Sequence, residues 1–357
     1  MNKLKKAVAI ISALVMSFTI LGSCSINNYA DPQPIEELDT SKIERHPGIA
    51  IWGSSMGYGY YGRGSSILSS IDNHMMADEC GIPVANMSVP QETNYTVLAR
   101  AGATKMLVKS FTIPEEVEKV EVKIYSEDEK PIVPLRWGTE WDGGMSNVTI
   151  DGVEGTLSVD SNTAAFENPS YYFTRKSEGK KTKVKKGTEI ISDSMTKNKD
   201  YIPIICMGDD GGWKTFDELI KQQQALLDSF ENKDNYIILG LFSVPLTEKQ
   251  EKSLPDDDDG KARAKLIKKN NEEYDKVMKE KWGEHYVSSR EYLCSNIALD
   301  SIEQREIEYK NVDKVNMSRG IVPDILKYDT NTLNGTGYEL VGDAVYKKMV
   351  DLGYLYN

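Results

Sequence analysis

Residues 49–58 read IAIWGSSMGY. Residues 49–52 are a short apolar run stopped by glycine, the pattern of a buried strand in a parallel sheet. The run breaks at Gly53, Ser54 and Ser55, and glycines follow at 57, 59, 62 and 64. A strand that turns sharply into a helix start exposes the side chain on the turn and aims free backbone N–H groups at the same spot. Ser55 stands there, where a nucleophile would have to stand. Glycine–serine turns after strands are common, however, and this one alone reads better as a plain loop. Its meaning depends on what the rest of the chain brings to it.

Working outward, residues 65–79 carry apolar side chains at helical spacing (Ile67, Leu68, Ile71, Met75), with Gly81 as the expected C-cap. Residues 84–89 form a second short strand, and 93–103 a helix with Thr93 as its N-cap. Strand–helix–strand–helix predicts a parallel α/β sheet. From about Lys105 to Lys199 the rhythm changes to alternating β patterns: VEKVEVKIY, SNVTIDGVEGTLSV, YYFTRK and KTKVKKGTEII. Turn residues recur about every 8–12 positions, as in a small antiparallel barrel or sandwich. The α/β pattern then resumes, with strands at 201–207, 236–242 and 286–287 and helices at 215–230, 262–282 and 340–349. The expected organisation is an α/β domain over 47–104 and 201–357, interrupted by an inserted β domain at 105–200.

Three later segments follow the elbow in an informative order. NMSVPQETN (86–94) comes after the second strand, MGDDGGW (207–213) after the third, and DTNTLNGTG (329–337) before the last helix. With IAIWGSSMGY they resemble the four sequence blocks of the SGNH (GDSL-type) hydrolases, over residues 48–108 and 201–354. The resemblance implies a three-layer α/β/α, flavodoxin-like parallel sheet, here carrying the antiparallel β insert. In that family the first-block serine is the nucleophile. The second-block glycine N–H and the third-block asparagine amide form the oxyanion hole, and the fourth block supplies an aspartate and, three residues on, the histidine base.

Carried onto this chain, the nucleophile is Ser55 and the aspartate is Asp329, but the oxyanion-hole positions are Gln91 and Asp210 and the histidine position is Thr332. A threonine hydroxyl accepts no proton near neutral pH, and a carboxylate is about 2.6 pK units less basic than imidazole. An ionised Asp210 offers no donor and repels a developing oxyanion. Gln91 keeps a backbone N–H, while its side chain is expected to fill the pocket. His46, His74 and His285, the three histidines of the chain, fall where none can replace the base. Trp52, Tyr58 and Trp213, with Tyr60 and Tyr61, are candidate platforms for a sugar ring or an acyl group. Trp52 suits the core as well.

The resemblance thus implies an ancestry in ester hydrolysis, with wall or dietary polysaccharide acetyl esters as the substrate class. One reading is a catalytically impaired protein that keeps the cleft and binds a glycan or an acylated ligand. The alternative is an active serine esterase or acetylesterase on carbohydrate esters, with an unusual base serving Ser55. A structural wall or adhesion protein is a third class, resting on the β insert.

The chain opens with a short basic stretch, an apolar run over 7–21, and small residues before Cys24. That is a signal peptide over 1–23 whose ending resembles the lipobox of bacterial lipoproteins, with Cys24 the lipidated residue. Residues 24–46 are polar and proline-containing and read as a flexible tether. The expected location is the outer face of a bacterial membrane, held by lipid. Removing 1–23 takes three lysines from a chain of net charge −12, leaving −15. So acidic a surface argues against nucleic acid as a partner.

Cys80, Cys206 and Cys294 make an odd set with no metal-ligand spacing. Cys206, inside YIPIIC, reads as a buried hydrophobe, and a Cys80–Cys294 bridge is open. The consecutive carboxylates at 256–259 lack the alternate spacing of a calcium loop and read as solvated. No cofactor or metal is called for.

Overall fold

The computed structural model describes residues 48–78, 81–127, 129, 132, 147–159, 170–255 and 260–355. The expected signal peptide, Cys24 as the expected lipidation site, the expected tether, His46, Cys80 and the 256–259 acidic run lie outside the described residues. Glu44–Asn357 forms one compact unit.

The chain enters through β1 (Ile49–Gly53), every residue of which is buried. It turns into α1 (Ser55–Tyr58) and continues through α2 (Ile67–Ala77), β2 (Val84–Asn86) and α3 (Asn94–Arg100). Ser66 starts α2 with a reciprocal capping box to Ser69. Asp78, not Gly81, closes α2, its N–H bonded to the His74 carbonyl. Gly81 uses its positive φ of 62° in the turn toward β2 instead. Thr93 does occupy the N-cap of α3, though its side chain makes no capping bond.

The next nine strands belong to the insert: β3 (Met106–Val108), β4 (Phe111–Ile113), β5 (Lys119–Val122), β6 (Ile124–Ser126), β7 (Asn147–Ile150), β8 (Val153–Val159), β9 (Tyr171–Arg175), β10 (Thr182–Val184) and β11 (Thr188–Ser192). Seven of them form one antiparallel sheet, in the order β5-β9-β8-β7-β11-β3-β6, and β4 pairs with β10 in a ribbon. The alternation of the sequence is realised directly. Tyr171, Phe173 and Arg175 of β9 are buried while Tyr172 and Thr174 between them are half-exposed. The inward residues, among them Met106, Val122, Ile150, Leu157, Phe173 and Ile190, make a core of their own that Ala99 of α3 joins.

The α/β part resumes with β12 (Ile202–Cys206), α4 (Phe216–Asp228), β13 (Ile237–Gly240), α5 (Glu248–Glu251), α6 (Lys261–Trp282), β14 (Tyr286–Ser288), α7 (Ser289–Leu293), α8 (Asn296–Gln304), α9 (Asn311–Ser318) and α10 (Gly335–Asp351). The central sheet is wholly parallel, in the order β14-β13-β12-β1-β2. Its helices fall into two packed groups: α10 lies along α2 and touches α7, while α4 packs against α3 and α6.

Numbered along the chain, the five parallel strands lie in the order 2-1-3-4-5. This doubly wound arrangement reverses direction between β1 and β12, and ligands bind outside the strand C-termini at such a reversal. Gly53 and Cys206, the last residues of those two strands, are register partners. A Cβ on Gly53 would sit 1.8 Å from the Cys206 carbonyl oxygen, so only glycine lets the strands close there.

Cys206 is buried and free. Cys294 is free too, and burial pushes its thiol up to about 12; Cys80, the other half of the bridge left open from the sequence, lies outside the described residues. Among the described residues no helix is long and apolar enough to cross a membrane.

Candidate functional site

Beyond Gly53 the chain must satisfy the N–H groups that open α1, since the first turn of any helix leaves them without intrahelical partners. The loop after β12 supplies the acceptors. Asp209 takes a hydrogen bond from the Ser54 hydroxyl at 2.6 Å and from the Met56 N–H at 2.6 Å, clamping the elbow from across the sheet reversal. The Ser55 N–H donates to Asp210 Oδ2 at 3.0 Å. The Gln91 N–H, arriving from the loop after β2, donates to the same oxygen at 3.1 Å and also lies 3.0 Å from Ser55 Oγ. Gln91 holds φ at +63°, the left-handed conformation that a glycine adopts freely and a glutamine rarely does.

Two backbone N–H groups therefore converge on one anionic oxygen beside the Ser55 hydroxyl. That is the geometry of an oxyanion hole. Its seat is taken by the protein's own carboxylate.

The fourth block closes the opposite wall. Lys327 and Leu333 form an isolated antiparallel bridge, and the Thr332 carbonyl accepts the Tyr328 N–H at 2.9 Å. Asn334 caps α10 through its side chain, which accepts the Gly337 N–H at 3.0 Å. A Cβ on Gly337 would lie 2.3 Å from the Leu326 carbonyl oxygen, which accounts for the glycine. Tyr338 then donates its hydroxyl to the Tyr60 carbonyl at 3.0 Å, tying α10 to the elbow.

These pieces enclose a cavity of about 390 Å³ lined by Ser55, Met56, Tyr60, Tyr61, Gln91, Asp209, Asp210, Asn331, Thr332 and Tyr338. Its size falls in the roughly 300–1,000 Å³ range of small-molecule sites. The Gln91 side chain forms part of the wall, its amide donating to the Tyr60 hydroxyl at 3.2 Å, rather than filling the space.

Of the residues singled out from the sequence, Ser55, Gln91, Asp210 and Thr332 meet in this cavity. Asp329 does not. It is exposed, and its carboxylate accepts the N–H of Asn331 in its own turn at 2.9 Å. The aromatic platform also differs from expectation. Trp52 is fully buried, edge-on to Phe230 and beneath the Arg100 guanidinium, so it belongs to the core. Trp213 binds the Gly208 carbonyl through its indole N–H and packs on Phe216; neither it nor Tyr58 lines the cavity. Tyr60, Tyr61 and Tyr338 do. His74 is engaged with Asp343 and Tyr346, and His285 with Tyr236 and Tyr354, away from Ser55.

The sequence reading passed over Asp209, Tyr338 and the buried pair Glu92–Arg100. The adjacent acids of MGDDGG and the lone arginine in the apolar stretch VLARAGA were the available signals. No family model, curated protein or solved structure matches this chain. Among the described residues no group of three or more His, Cys, Asp or Glu side chains is placed to hold a metal ion.

Enclosure, and then the neighbouring charge of Asp210, push the Asp209 carboxyl up to about 7; the bonds from Ser54 and Met56 act the other way. An acid whose folded-state pKa is raised is held protonated longer by the folded protein, so its contribution to stability declines as pH climbs from about 4 to about 7. The expected result is that the Tm difference between wild type and Asp209→Asn is larger at pH 5 than at pH 8. Parallel thermal melts would measure it, and a difference that is flat or reversed with pH would contradict the assignment.

Proposed function

We propose that this protein is a non-hydrolytic binding protein on a degenerate SGNH-type, three-layer α/β/α scaffold, and that its cleft holds a glycan. In this reading it works tethered by lipid through Cys24 to the outer face of a bacterial membrane. The observation that carries the proposal is the Asp210 carboxylate on the N–H groups of Ser55 and Gln91. An acyl-transfer site needs those donors free for the charge that develops in the transition state. Here a standing negative charge uses them.

The second support is the lack of a base: Thr332 lines the cavity at the histidine position, and Asp329 is committed to its own turn. The cleft walls point to hydroxylated ligands. Tyr60, Tyr61, Tyr338, Gln91, Asn331 and Thr332 offer phenol, amide and hydroxyl groups around an open volume, the mix of apolar faces and convergent polar groups used by small-molecule sites.

A fluorophosphonate probe tests the reading on the domain starting at Ser25. The expected result is no labelling of wild type beyond that of Ser55→Ala, together with retained saccharide binding in Ser55→Ala. Labelling of wild type that disappears in Ser55→Ala would replace this reading with the active esterase.

A further inference from the structure

The cavity is anionic, and its lining carries an aromatic face. Its lining includes Asp209 and Asp210 but no lysine, arginine or histidine. Asp210 lines the cavity, and the N–H groups of Ser55 and Gln91 both bond to its Oδ2. Tyr61 of the lining stacks on Tyr328, with ring centroids 4.3 Å apart and an interplanar angle of 8°. Both are large exposed aromatics, 46% and 51% accessible, so the stack presents its outer surface to solvent. Tyr61 is held at a φ of +63°, a conformation that costs energy for a bulky residue and clusters at ligand clamps. Hydrogen bonding and charge from the neighbouring Tyr60 hold the Tyr61 phenol above its usual range.

We infer that the cleft selects an oligosaccharide of amino sugars with free amines. This rests on the binding reading above and names its ligand class. The C–H face of one ring lies on the Tyr61–Tyr328 stack, and the ammonium of the ring inside the cavity donates to the Asp210 carboxylate. An ammonium ion pairs with a carboxylate through a charge-assisted bond and is also drawn to tyrosine faces. Uronic acids meet the Asp210 carboxylate in a lining without lysine, arginine or histidine and are rejected, because like charges brought together cost several kcal/mol.

Titration calorimetry on the soluble domain at near-physiological salt tests this. The probes are a glucosamine tetrasaccharide, its fully N-acetylated form, a galacturonic acid tetrasaccharide, and spermine, which is cationic without rings. The glucosamine tetrasaccharide is expected to bind roughly 10- to 100-fold more tightly than the acetylated form, the worth of one hydrogen bond to a charged group. Asp210→Asn should remove that preference. Tyr328→Ala, at an exposed position where folding is not at stake, should weaken binding about tenfold. The galacturonic acid tetrasaccharide and spermine should not bind.

Equal affinity for the free and acetylated amines, or a preference unchanged in Asp210→Asn, overturns the inference while leaving a glycan-binding cleft. Spermine binding as tightly as the tetrasaccharide overturns it in favour of general attraction to an acidic surface. If no saccharide binds, both this inference and the binding reading fall.

Discussion

Arg100→Met is expected to destabilise the protein by roughly 3–5 kcal/mol, the cost of stripping one partner from a buried ion pair. Arg100 and Glu92 have side chains without any solvent access and meet at 2.8 Å. The guanidinium also donates to the Met87 carbonyl at 2.6 Å and reaches the Gly53 carbonyl at 3.5 Å. It thus ties the end of β1 to the chain leaving β2, directly beneath the elbow that carries Ser55. Glu92 feels the loss most. Burial already raises its pKa, Arg100 is what lowers it, and Asp210 adds to the rise. Without Arg100 its carboxyl must protonate or draw in water, and two backbone carbonyls lose a donor.

The pair is a constraint on geometry more than a source of stability, so removing both charges is expected to hurt less than removing one. Glu92→Leu with Arg100→Met should recover a large part of the loss. Urea midpoints for the two single variants and the double would decide it. A cost below about 1 kcal/mol for Arg100→Met would show that the elbow does not depend on this tie.

What the sequence disclosed, and what it withheld, follows from the range over which each interaction acts. β1, β12 and β13 were legible because a buried parallel strand is a continuous apolar run, and residues 49–53, 202–206 and 237–240 carry little else. The insert was legible for the opposite reason. One face of its sheet is wet, so burial alternates along β9 as the period-two pattern requires. Thr332 and Ser55 could be brought together only by recognising block order, since 277 positions separate them and no local pattern spans that gap.

Side-chain commitment is harder still. Nothing in MGDDGGW says that its first aspartate turns back to Ser54 and Met56 while its second reaches forward to Ser55 and Gln91. Trp52 was ambiguous because a tryptophan at the end of β1 suits either a cleft or a core. The burial of Phe230, Arg100 and Lys199 around it made it core. Asp329 was a triad member only by resemblance to the fourth block, yet an aspartate ahead of a turn has a nearer N–H to accept, and it takes that of Asn331.

Asp210→Asn combined with Thr332→His is expected to create a Ser55-dependent esterase. Thr332 lines the same cavity as Ser55, so an imidazole there enters the space beside the hydroxyl. A positioned general base contributes about 10²- to 10⁴-fold. Asparagine at 210 removes the standing charge from the N–H groups of Ser55 and Gln91 and adds an amide donor, and one such donor is worth about 10²- to 10³-fold.

Neither change should suffice alone. With Asp210 in place the oxyanion has no seat, and without a base Ser55 stays protonated. Groups that act as a unit show this non-additivity. The double variant should therefore exceed the product of the two single effects when p-nitrophenyl acetate hydrolysis is followed, and Ser55→Ala in the same background should abolish the gain. Its ceiling is set by Asp329, which must give up the Asn331 N–H to orient the new histidine. A further gain on replacing Asn331 by proline, which has no N–H to offer, would identify that competition. A double variant no faster than wild type, and still unlabelled by a fluorophosphonate, would mean that this elbow is not a hydrolase site with its base removed, and the SGNH reading of the four blocks would fall with it.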